Sequence, residues 1–210
     1  MRALKAFCVL LVLAALARAD DPEKLVDATT VVSDLGVQLM YATPDNFLHK
    51  AVYPKEARCL LRESVAARLE KAAKTLRKQG LRLKVYDCYR PRSVQWEMWK
   101  LFPKPGYVAN PKYGSNHNRG GAVDLTLITK DGKDVEMPTP FDTFSDAAHH
   151  GYDGGTEESR KNRETLREAM EGAGFGKNRM EWWHYDAPNS KSYEVLDEPF
   201  TALGGRDGGR

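Results

Sequence analysis

The stretch SNHNRGGAVDLTLI, residues 115–128, joins a polar loop to an apolar segment. Its second half, Ala122 to Ile128, is almost entirely apolar and predicts a buried strand. Asp124 stands inside that run. A buried carboxylate without a partner is costly or becomes protonated, so Asp124 needs a partner. A metal ion would satisfy it, and so would a salt bridge to an arginine.

Three other side chains can be combined with Asp124 into one site. His117 lies in the preceding loop, and the segment Glu181-Trp-Trp-His184 supplies a second carboxylate and a second imidazole. Two imidazoles and one carboxylate suit a catalytic Zn²⁺, which keeps its fourth position open for water. The extra carboxylate, Glu181, could take a proton from that water. The combination predicts a hydrolase that binds one Zn²⁺ per chain.

Glu181 and Arg90 each have a chemical and a structural interpretation. Two tryptophans follow Glu181, and burial against aromatic walls raises a carboxyl pKa, as suits a base working near neutral pH. Arg90, in the segment YDCYRP (86–91), could stabilise the oxyanion of a tetrahedral intermediate. The structural alternatives are an ion pair of Glu181 with Arg179 or a nearby lysine, and a surface pair of Arg90 with Asp87.

Hydrophobic periodicity and turn residues predict the remaining elements. The predicted helices cover residues 54–79, a short segment opened by Pro91, and residues 156–172; the predicted strands cover residues 81–86, 122–128, 134–137 and 180–185. Strands and helices do not alternate regularly. The pattern therefore predicts an α+β fold: a single domain with a mainly antiparallel sheet flanked by helices and the zinc site at the sheet.

Residues 1–19 have the pattern of a cleaved signal peptide, with a basic start, an apolar run and a small-x-small cleavage site. They hold Arg2, Lys5 and Arg18 and no acid, so removing three of the 32 basic residues leaves them equal in number to the 29 acids. A mature chain without net charge argues against nucleic acid as a partner. We expect a periplasmic or secreted protein without stable membrane insertion.

The predicted mature chain holds one domain, residues 20–203, and a glycine-rich tail, residues 204–210, that is expected to be disordered. Its two cysteines are Cys59 and Cys88. In an oxidising compartment they could form one disulfide. Two buried thiols packed as small hydrophobic groups are the alternative.

The motif Ser115-x-His117-x-x-Gly120-x-Ala122-x-Asp124 together with Glu181-x-x-His184 resembles the zinc D-Ala-D-Ala metallopeptidase family. That family includes D,D-carboxypeptidases, endolysin peptidases and dipeptidases of the vancomycin-resistance type. The dipeptidases are matched by more segments, which occur in the same order over roughly residues 25 to 200: Tyr41–Phe47, Asp87–Pro91, His117–Leu127, Phe141–Asp142, His149–His150 and Glu181–Tyr185.

The resemblance implies a role for each residue at the reacting bond. His117, Asp124 and His184 match the zinc ligands of the family, and Glu181 matches its general base. Arg90 matches the residue that stabilises the transition state. One residue in this segment departs from the dipeptidases, because Cys88 stands where they have a small residue.

Other positions match residues that recognise the dipeptide. They are Tyr41, Ser115 and Asp142, and a carboxylate at Asp142 suits the ammonium group of the substrate. His149 and His150 also match family positions. Since three protein ligands are already assigned, the resemblance implies a supporting role for these two histidines.

The implied reaction is the zinc-dependent hydrolysis of D-Ala-D-Ala to two D-alanines. Predicted export separates such an enzyme from the cytoplasmic dipeptide pool, so we expect a role in cell-wall turnover rather than direct vancomycin resistance. One alternative is a D,D-carboxypeptidase that trims peptidoglycan stem peptides. Another is a non-catalytic, zinc-dependent wall-binding module, against which Glu181 and Arg90 argue because metal binding alone requires neither.

Overall fold

The computed structural model describes residues 24–202, and both the predicted signal peptide (1–19) and the predicted tail (204–210) lie outside these residues. Within residues 24–202, no helix is both long and apolar enough to cross a bilayer. The strands of the described chain are β1 (Leu25–Asp27), β2 (Gly36–Val37), β3 (Leu60–Arg62), β4 (Leu81–Asp87), β5 (Ala122–Thr129), β6 (Gly176–Lys177) and β7 (His184–Asp186), and its helices are α1 (Glu63–Arg77), α2 (Arg92–Leu101) and α3 (Glu157–Gly172).

A five-stranded sheet forms the frame of the molecule. Its strand order is β2-β4-β5-β7-β6, and every pairing is antiparallel except the parallel edge pair of β2 with β4. Strands β1 and β3 form a separate antiparallel pair. The prediction of a single α+β domain with mainly antiparallel sheets is confirmed.

The central strand β5 explains the apolar run found in the sequence. It pairs with β4 on one side and β7 on the other, and its residues are buried from Ala122 to Ile128. Helix α1 buries an apolar face that includes Val65, Leu69 and Leu76, and it packs against β4 and α3. Burying a leucine contributes roughly 1.5–3 kcal/mol, so this layer stabilises the sheet that carries Asp124.

Four predicted elements are confirmed by β4, α2, β5 and α3, and the last of these helices begins with a side-chain N-cap. The Thr156 hydroxyl accepts a hydrogen bond from the Ser159 N–H at 3.0 Å. This bond satisfies one of the backbone N–H groups that a helix leaves unpaired at its start.

The predicted helix over residues 54–79 was wrong in its first third. Leu60 and Leu61 belong to β3, and α1 begins only at Glu63. All three residues of β3 are buried, and the strand pairs with β1. Apolar spacing cannot distinguish such a short buried strand from the first turn of a helix.

Two predicted strands were also too long. Residues 134–137 contribute a single bridge, between Ile128 and Asp134, instead of a hairpin strand. In the segment 180–185 only the end is extended, since β7 begins at His184. Glu181 therefore lies in the turn that leads into β7, and its side chain is not restricted to the alternation of a strand.

The cysteines form a disulfide, which decides between the two alternatives left open by the sequence. Cys59 precedes β3 and Cys88 follows β4, so the bond joins these two segments. Next to it, the Tyr89 N–H donates to the carbonyl of Leu60 at 2.9 Å. Cys88, which departs from the family pattern, therefore forms a disulfide bond two residues before Arg90.

Candidate active site

Strand pairing brings Asp124 and His184 together. Asp124 of β5 lies directly opposite His184 of β7 in the antiparallel ladder. Side chains of directly opposed residues lie on the same face of a sheet, with β-carbons about 5 Å apart. Two residues separated by 60 positions in the sequence are thereby placed next to each other.

His117 reaches the same point from a tight turn. It opens a 3-10 turn, His117–Arg119, that ends at Gly120 with a φ of +66°. This left-handed conformation favours glycine, and a β-carbon at Gly120 would also lie 2.4 Å from a methyl group of Leu25, which would have to move. The turn leads directly into β5 and positions the His117 ring above Asp124.

The three side chains form a group that could bind a metal ion. One nitrogen of each histidine and one carboxylate oxygen of Asp124 all lie within 4.8 Å of one another. His184 Nδ1 is 2.9 Å from Asp124 Oδ1, and His117 Nε2 is 3.4 Å from the same oxygen. His117 Nε2 and His184 Nδ1 are 3.1 Å apart.

The remaining ring nitrogens each have another partner. His117 Nδ1 lies 2.7 Å from the carbonyl oxygen of Cys88, and His184 Nε2 lies 3.0 Å from Asp186 Oδ1. A neutral imidazole that donates from one nitrogen leaves a lone pair on the other. Both partners are acceptors, so both lone pairs converge on Asp124, as a metal site requires.

The local electrostatics favour a cation among these groups. Burial alone would raise the pKa of the Asp124 carboxyl, but the charges and hydrogen bonds of His117 and His184 hold it well below its usual range. Burial lowers the pKa of His184, yet hydrogen bonds to Asp124 and Asp186 raise it well above its ordinary value. The same negative charges that hold a proton on His184 would hold a metal ion.

Glu181 is buried beside this group. Its Oε2 lies 4.0 Å from His184 Nδ1 and accepts a hydrogen bond of 2.7 Å from the Asn178 amide. Burial is the main cause that raises the pKa of Glu181 to about 7. The hydrogen bond comes from the neutral Asn178 amide, and among the described residues no arginine or lysine forms the ion pair of the structural alternative. A carboxylate with this pKa can both accept and release a proton near neutral pH.

Arg90 is buried, and its guanidinium group is held on several sides. Nε donates to Asp87 Oδ2 at 3.0 Å, and Nη1 donates to Gln95 Oε1 at 2.8 Å. Nη2 lies 3.9 Å from Asp124 Oδ2, and the group sits 5.0 Å from the centre of the Tyr41 ring. The pair with Asp87 that the sequence suggested exists, but it is buried and points Arg90 toward Asp124.

A second carboxylate, Asp142, lies at the other end of the site. It accepts hydrogen bonds from the Tyr41 hydroxyl at 3.1 Å and from the Phe47 N–H at 3.3 Å. Its φ of +60° is a left-handed conformation that is uncommon for a residue with a β-carbon. Burial, and then the charge of Asp124, raise the pKa of Asp142 well above its ordinary value. A cationic partner would stabilise the ionised form of this carboxylate.

One cavity of about 280 Å³ connects the two ends. All eight predicted site residues line it: Tyr41, Arg90, Ser115, His117, Asp124, Asp142, Glu181 and His184. The volume lies just below the range of drug-sized pockets and suits a smaller ligand. His149 and His150 instead line a separate cavity, which agrees with their exclusion from the ligand set.

Ser115 has a local role in addition to facing the cavity. Its hydroxyl oxygen accepts a hydrogen bond of 3.2 Å from the His117 N–H, and its own N–H donates to Asn118 Oδ1 at 2.7 Å. The hydroxyl hydrogen is not used by the bond to His117, so Ser115 can still donate one hydrogen bond.

Residues 21–203 match the family described as D-ala-D-ala dipeptidase. The chain belongs to this D-Ala-D-Ala dipeptidase family. It is 37% identical to the D-alanyl-D-alanine dipeptidase of Escherichia coli (strain K12), a match that covers 87% of this chain and 94% of that protein.

Two enterococcal proteins give the same result. The D-alanyl-D-alanine dipeptidase of Enterococcus faecium is 36% identical over 73% of this chain and 87% of its own length. That of Enterococcus faecalis is 34% identical over 76% of this chain and 85% of its own length. Family membership makes this chain a metallopeptidase, and it confirms the resemblance seen in the motifs.

Three residues of this D-Ala-D-Ala dipeptidase family member were missed by sequence reasoning. Asp186 contacts His184, Asn178 contacts Glu181, and Gln95 contacts Arg90. Asp186 carried a signal, because residues two apart in a strand share a face. Asn178 and Gln95 carried none, since amides of this kind are common in turns and helices.

Proposed function

We propose that this protein is a zinc-dependent dipeptidase that hydrolyses D-Ala-D-Ala to two D-alanines. The observation that carries the proposal is the single 280 Å³ cavity with a two-histidine, one-carboxylate group at one end and Asp142 at the other. A dipeptide has its scissile bond close to its free ammonium group, and the cavity offers a partner for each. The three relatives are D-alanyl-D-alanine dipeptidases, which supports the same substrate.

His117, Asp124 and His184 would hold one Zn²⁺. Their donor set, two imidazoles and one carboxylate, is that of a catalytic zinc site with an open position. The metal would supply Lewis-acid chemistry that makes a water molecule nucleophilic near neutral pH.

Glu181 would act as general base and then as general acid. Asn178 holds Oε2, which leaves Oε1 to accept the proton of the attacking water. The proton then passes to the nitrogen of the leaving D-alanine as the peptide bond breaks. A pKa of about 7 suits both transfers, because neither the acceptance nor the release of the proton is strongly unfavourable.

Arg90 would stabilise the negative charge that develops on the carbonyl oxygen of the substrate. Asp87 and Gln95 hold its guanidinium group before the substrate arrives, so little reorganisation is needed during the reaction. Fixed donors of this kind act mainly on the transition state.

Asp142 would bind the substrate ammonium, with Tyr41 and Ser115 as further polar contacts. A charge-assisted hydrogen bond between ammonium and carboxylate is stronger than a neutral one. A longer peptide would place an uncharged amide against the Asp142 carboxylate and leave a buried acid unpaired, which explains why dipeptides would be preferred.

We further propose that the protein is exported and recovers D-alanine during cell-wall turnover. The signal-peptide pattern of residues 1–19 supports export. Fractionation of cells that express the full chain with a C-terminal tag tests it, and recovery of uncleaved protein from the cytoplasm would contradict it.

The activity is tested with purified protein on D-Ala-D-Ala and on N-acetyl-D-Ala-D-Ala, each with and without a zinc chelator. We expect rapid, chelator-sensitive cleavage of the free dipeptide and much slower cleavage of the acetylated one. Equal rates on the two substrates would indicate the D,D-carboxypeptidase alternative. Binding of zinc without cleavage of either substrate would indicate the non-catalytic module.

A further inference from the structure

The two histidines of the proposed zinc site are supported by different groups. His117 Nδ1 forms its hydrogen bond with a backbone carbonyl, that of Cys88, at 2.7 Å, and the Asp87 carboxylate lies farther away, with Oδ2 at 3.5 Å. His184 Nε2 faces a side-chain carboxylate, Asp186 Oδ1, at 3.0 Å. A backbone carbonyl is neutral and is present in any sequence, whereas a carboxylate is charged and depends on one residue. The direct hydrogen-bond partner of His184 is therefore one that a single substitution can change.

Asp186 is itself firmly placed. Its backbone lies between Ala122 of β5 and Gly176 of β6 in the sheet. Its side chain accepts a hydrogen bond from the Asn116 side chain as well as from His184. Asn116 immediately precedes His117, so the Asp186 carboxylate contacts both segments that carry the histidines.

We propose that Asp186 is a positioning residue that fixes His184 with Nδ1 directed at the metal and strengthens zinc binding. This inference rests on the proposed zinc site. The His184 Nε2–H donates to Asp186, and the lone pair on Nδ1 is thereby directed at Asp124 and His117. The opposite tautomer would place a lone pair against the carboxylate and a hydrogen in the metal site.

The negative charge of Asp186 adds to the effect of its geometry. A carboxylate that accepts a hydrogen bond from a ligating imidazole increases the basicity of that ligand. Loss of such a partner lowers metal affinity by about 10–100-fold in known metal sites. The hydrogen bond of His117 Nδ1 goes to a backbone carbonyl, so substitution of a side chain does not remove that acceptor, and the Asp87 carboxylate at 3.5 Å is not altered by a change at Asp186. The effect is therefore expected to be specific to the His184 side.

Two substitutions separate the effect of the hydrogen bond from that of the charge. Asp186→Ala removes both the hydrogen-bond acceptor and the negative charge. Asp186→Asn keeps an oxygen that can accept the His184 hydrogen bond but removes the charge. The matched control is Asp153→Ala, an exposed acid that lines the same neighbouring cavity as Asp186. Zinc dissociation constants are measured for each full-length protein by competition with a chromophoric chelator.

We expect zinc binding about 10–100-fold weaker in Asp186→Ala, a smaller loss in Asp186→Asn, and no change in Asp153→Ala. In the zinc-loaded wild type, ¹⁵N NMR of the imidazoles should show His184 protonated at Nε2. In Asp186→Ala the Nε2–H signal should broaden or shift through faster exchange. If Asp186 had only a structural role, its substitution would change the melting temperature but not the Nε2–H signal of His184. Zinc affinity would then not decrease in the order wild type, Asp186→Asn, Asp186→Ala.

The outcomes distinguish this inference from the function proposed above. If the wild type binds zinc and cleaves D-Ala-D-Ala while Asp186→Ala binds zinc equally well, the positioning role is refuted and the activity stands. If the loss of zinc affinity in the two variants simply follows their loss of thermal stability, Asp186 has a structural role only. If the wild type binds no zinc, the proposed function itself fails.

Discussion

The two ends of the cavity are built from different kinds of structure. At the metal end, Asp124 and His184 lie opposite each other on paired strands at the centre of the sheet. At the amine end, Asp142 lies in an irregular segment, and Tyr41 lies in a single 3-10 turn. Backbone pairing holds two of the three proposed metal ligands, whereas irregular segments hold the groups that would select the substrate. Sites on regular elements are held more precisely than sites on loops.

Aromatic packing replaces backbone pairing at the amine end. Phe144 stacks on Phe102 with ring centres 5.2 Å apart and also lies 5.2 Å from Phe47 and 4.9 Å from Tyr107. These rings join the irregular segments around residues 103–108 and 141–144. Aromatic pairs contribute about 0.5–1.5 kcal/mol beyond area burial, so this wall is ordered but can adjust more easily than the sheet.

The largest expected effect is loss of turnover at the metal end, and zinc binding distinguishes the proposed ligands from the proposed general base. Glu181→Ala should abolish turnover and still bind one zinc per chain, because Glu181 is not a proposed ligand. His117→Ala, Asp124→Ala and His184→Ala should lose both zinc and activity. Metal analysis and dipeptide turnover of the four purified variants check this. An active Glu181→Ala enzyme would contradict the mechanism.

Arg90 tests whether the metal end acts on the transition state. Arg90→Ala should lower kcat by about 100-fold, equivalent to roughly 3 kcal/mol, with little change in KM, because the charge it meets appears only in the tetrahedral state. Arg90→Lys keeps the charge but loses the planar guanidinium group that Asp87 and Gln95 hold. Its kcat should lie between those of the wild type and Arg90→Ala. A change confined to KM would make Arg90 a substrate-binding residue.

Asp142 tests whether the amine end acts on binding. Asp142→Asn should lower kcat/KM for D-Ala-D-Ala by about 10–100-fold, since a hydrogen bond to a charged group contributes about 1.5–3 kcal/mol. The rate on N-acetyl-D-Ala-D-Ala should change little, because that substrate has no ammonium to lose. The ratio of the two values is the measurement, and an unchanged ratio would exclude the ammonium contact.

The smallest expected effect is a pH dependence of KM that arises from Asp142 at the amine end. The raised pKa of Asp142 means that its carboxylate becomes protonated at a higher pH than an ordinary aspartate. Its pairing with the ammonium is therefore present at higher pH and lost as pH falls through that raised pKa. We expect KM for the free dipeptide to rise on the acid side, and the rise to be absent in Asp142→Asn. Steady-state kinetics over a pH series check this.

The fold was predictable where burial leaves a clear pattern along the chain. The apolar run of β5 and the amphipathic character of α3 were enough to place both elements. The start of α1 was not, because Leu60 and Leu61 are buried by pairing with β1, a strand about 35 residues earlier. Periodicity records how buried a residue is, but not which partner buries it.

The grouping of the eight candidate residues around one cavity was predictable, because their types and spacing are unusual and matched a known family, whereas their roles stay predictions. Their supports were not predictable. Gln95 reaches Arg90 from α2. Asn178 reaches Glu181 across a turn. Neither amide has a chemical signature that distinguishes it in the sequence from an ordinary surface residue.

By itself, the sequence determined the donor set: two imidazoles, an ionisable carboxylate between them, and a base next to tryptophans. Only the tertiary structure decided which nitrogen of each ring faces Asp124. That choice depends on a backbone carbonyl for His117 and on the sheet register that places His184 opposite Asp124. The physical reason is that side-chain identity sets which bonds can form, whereas hydrogen-bond direction depends on positions that only the folded backbone provides.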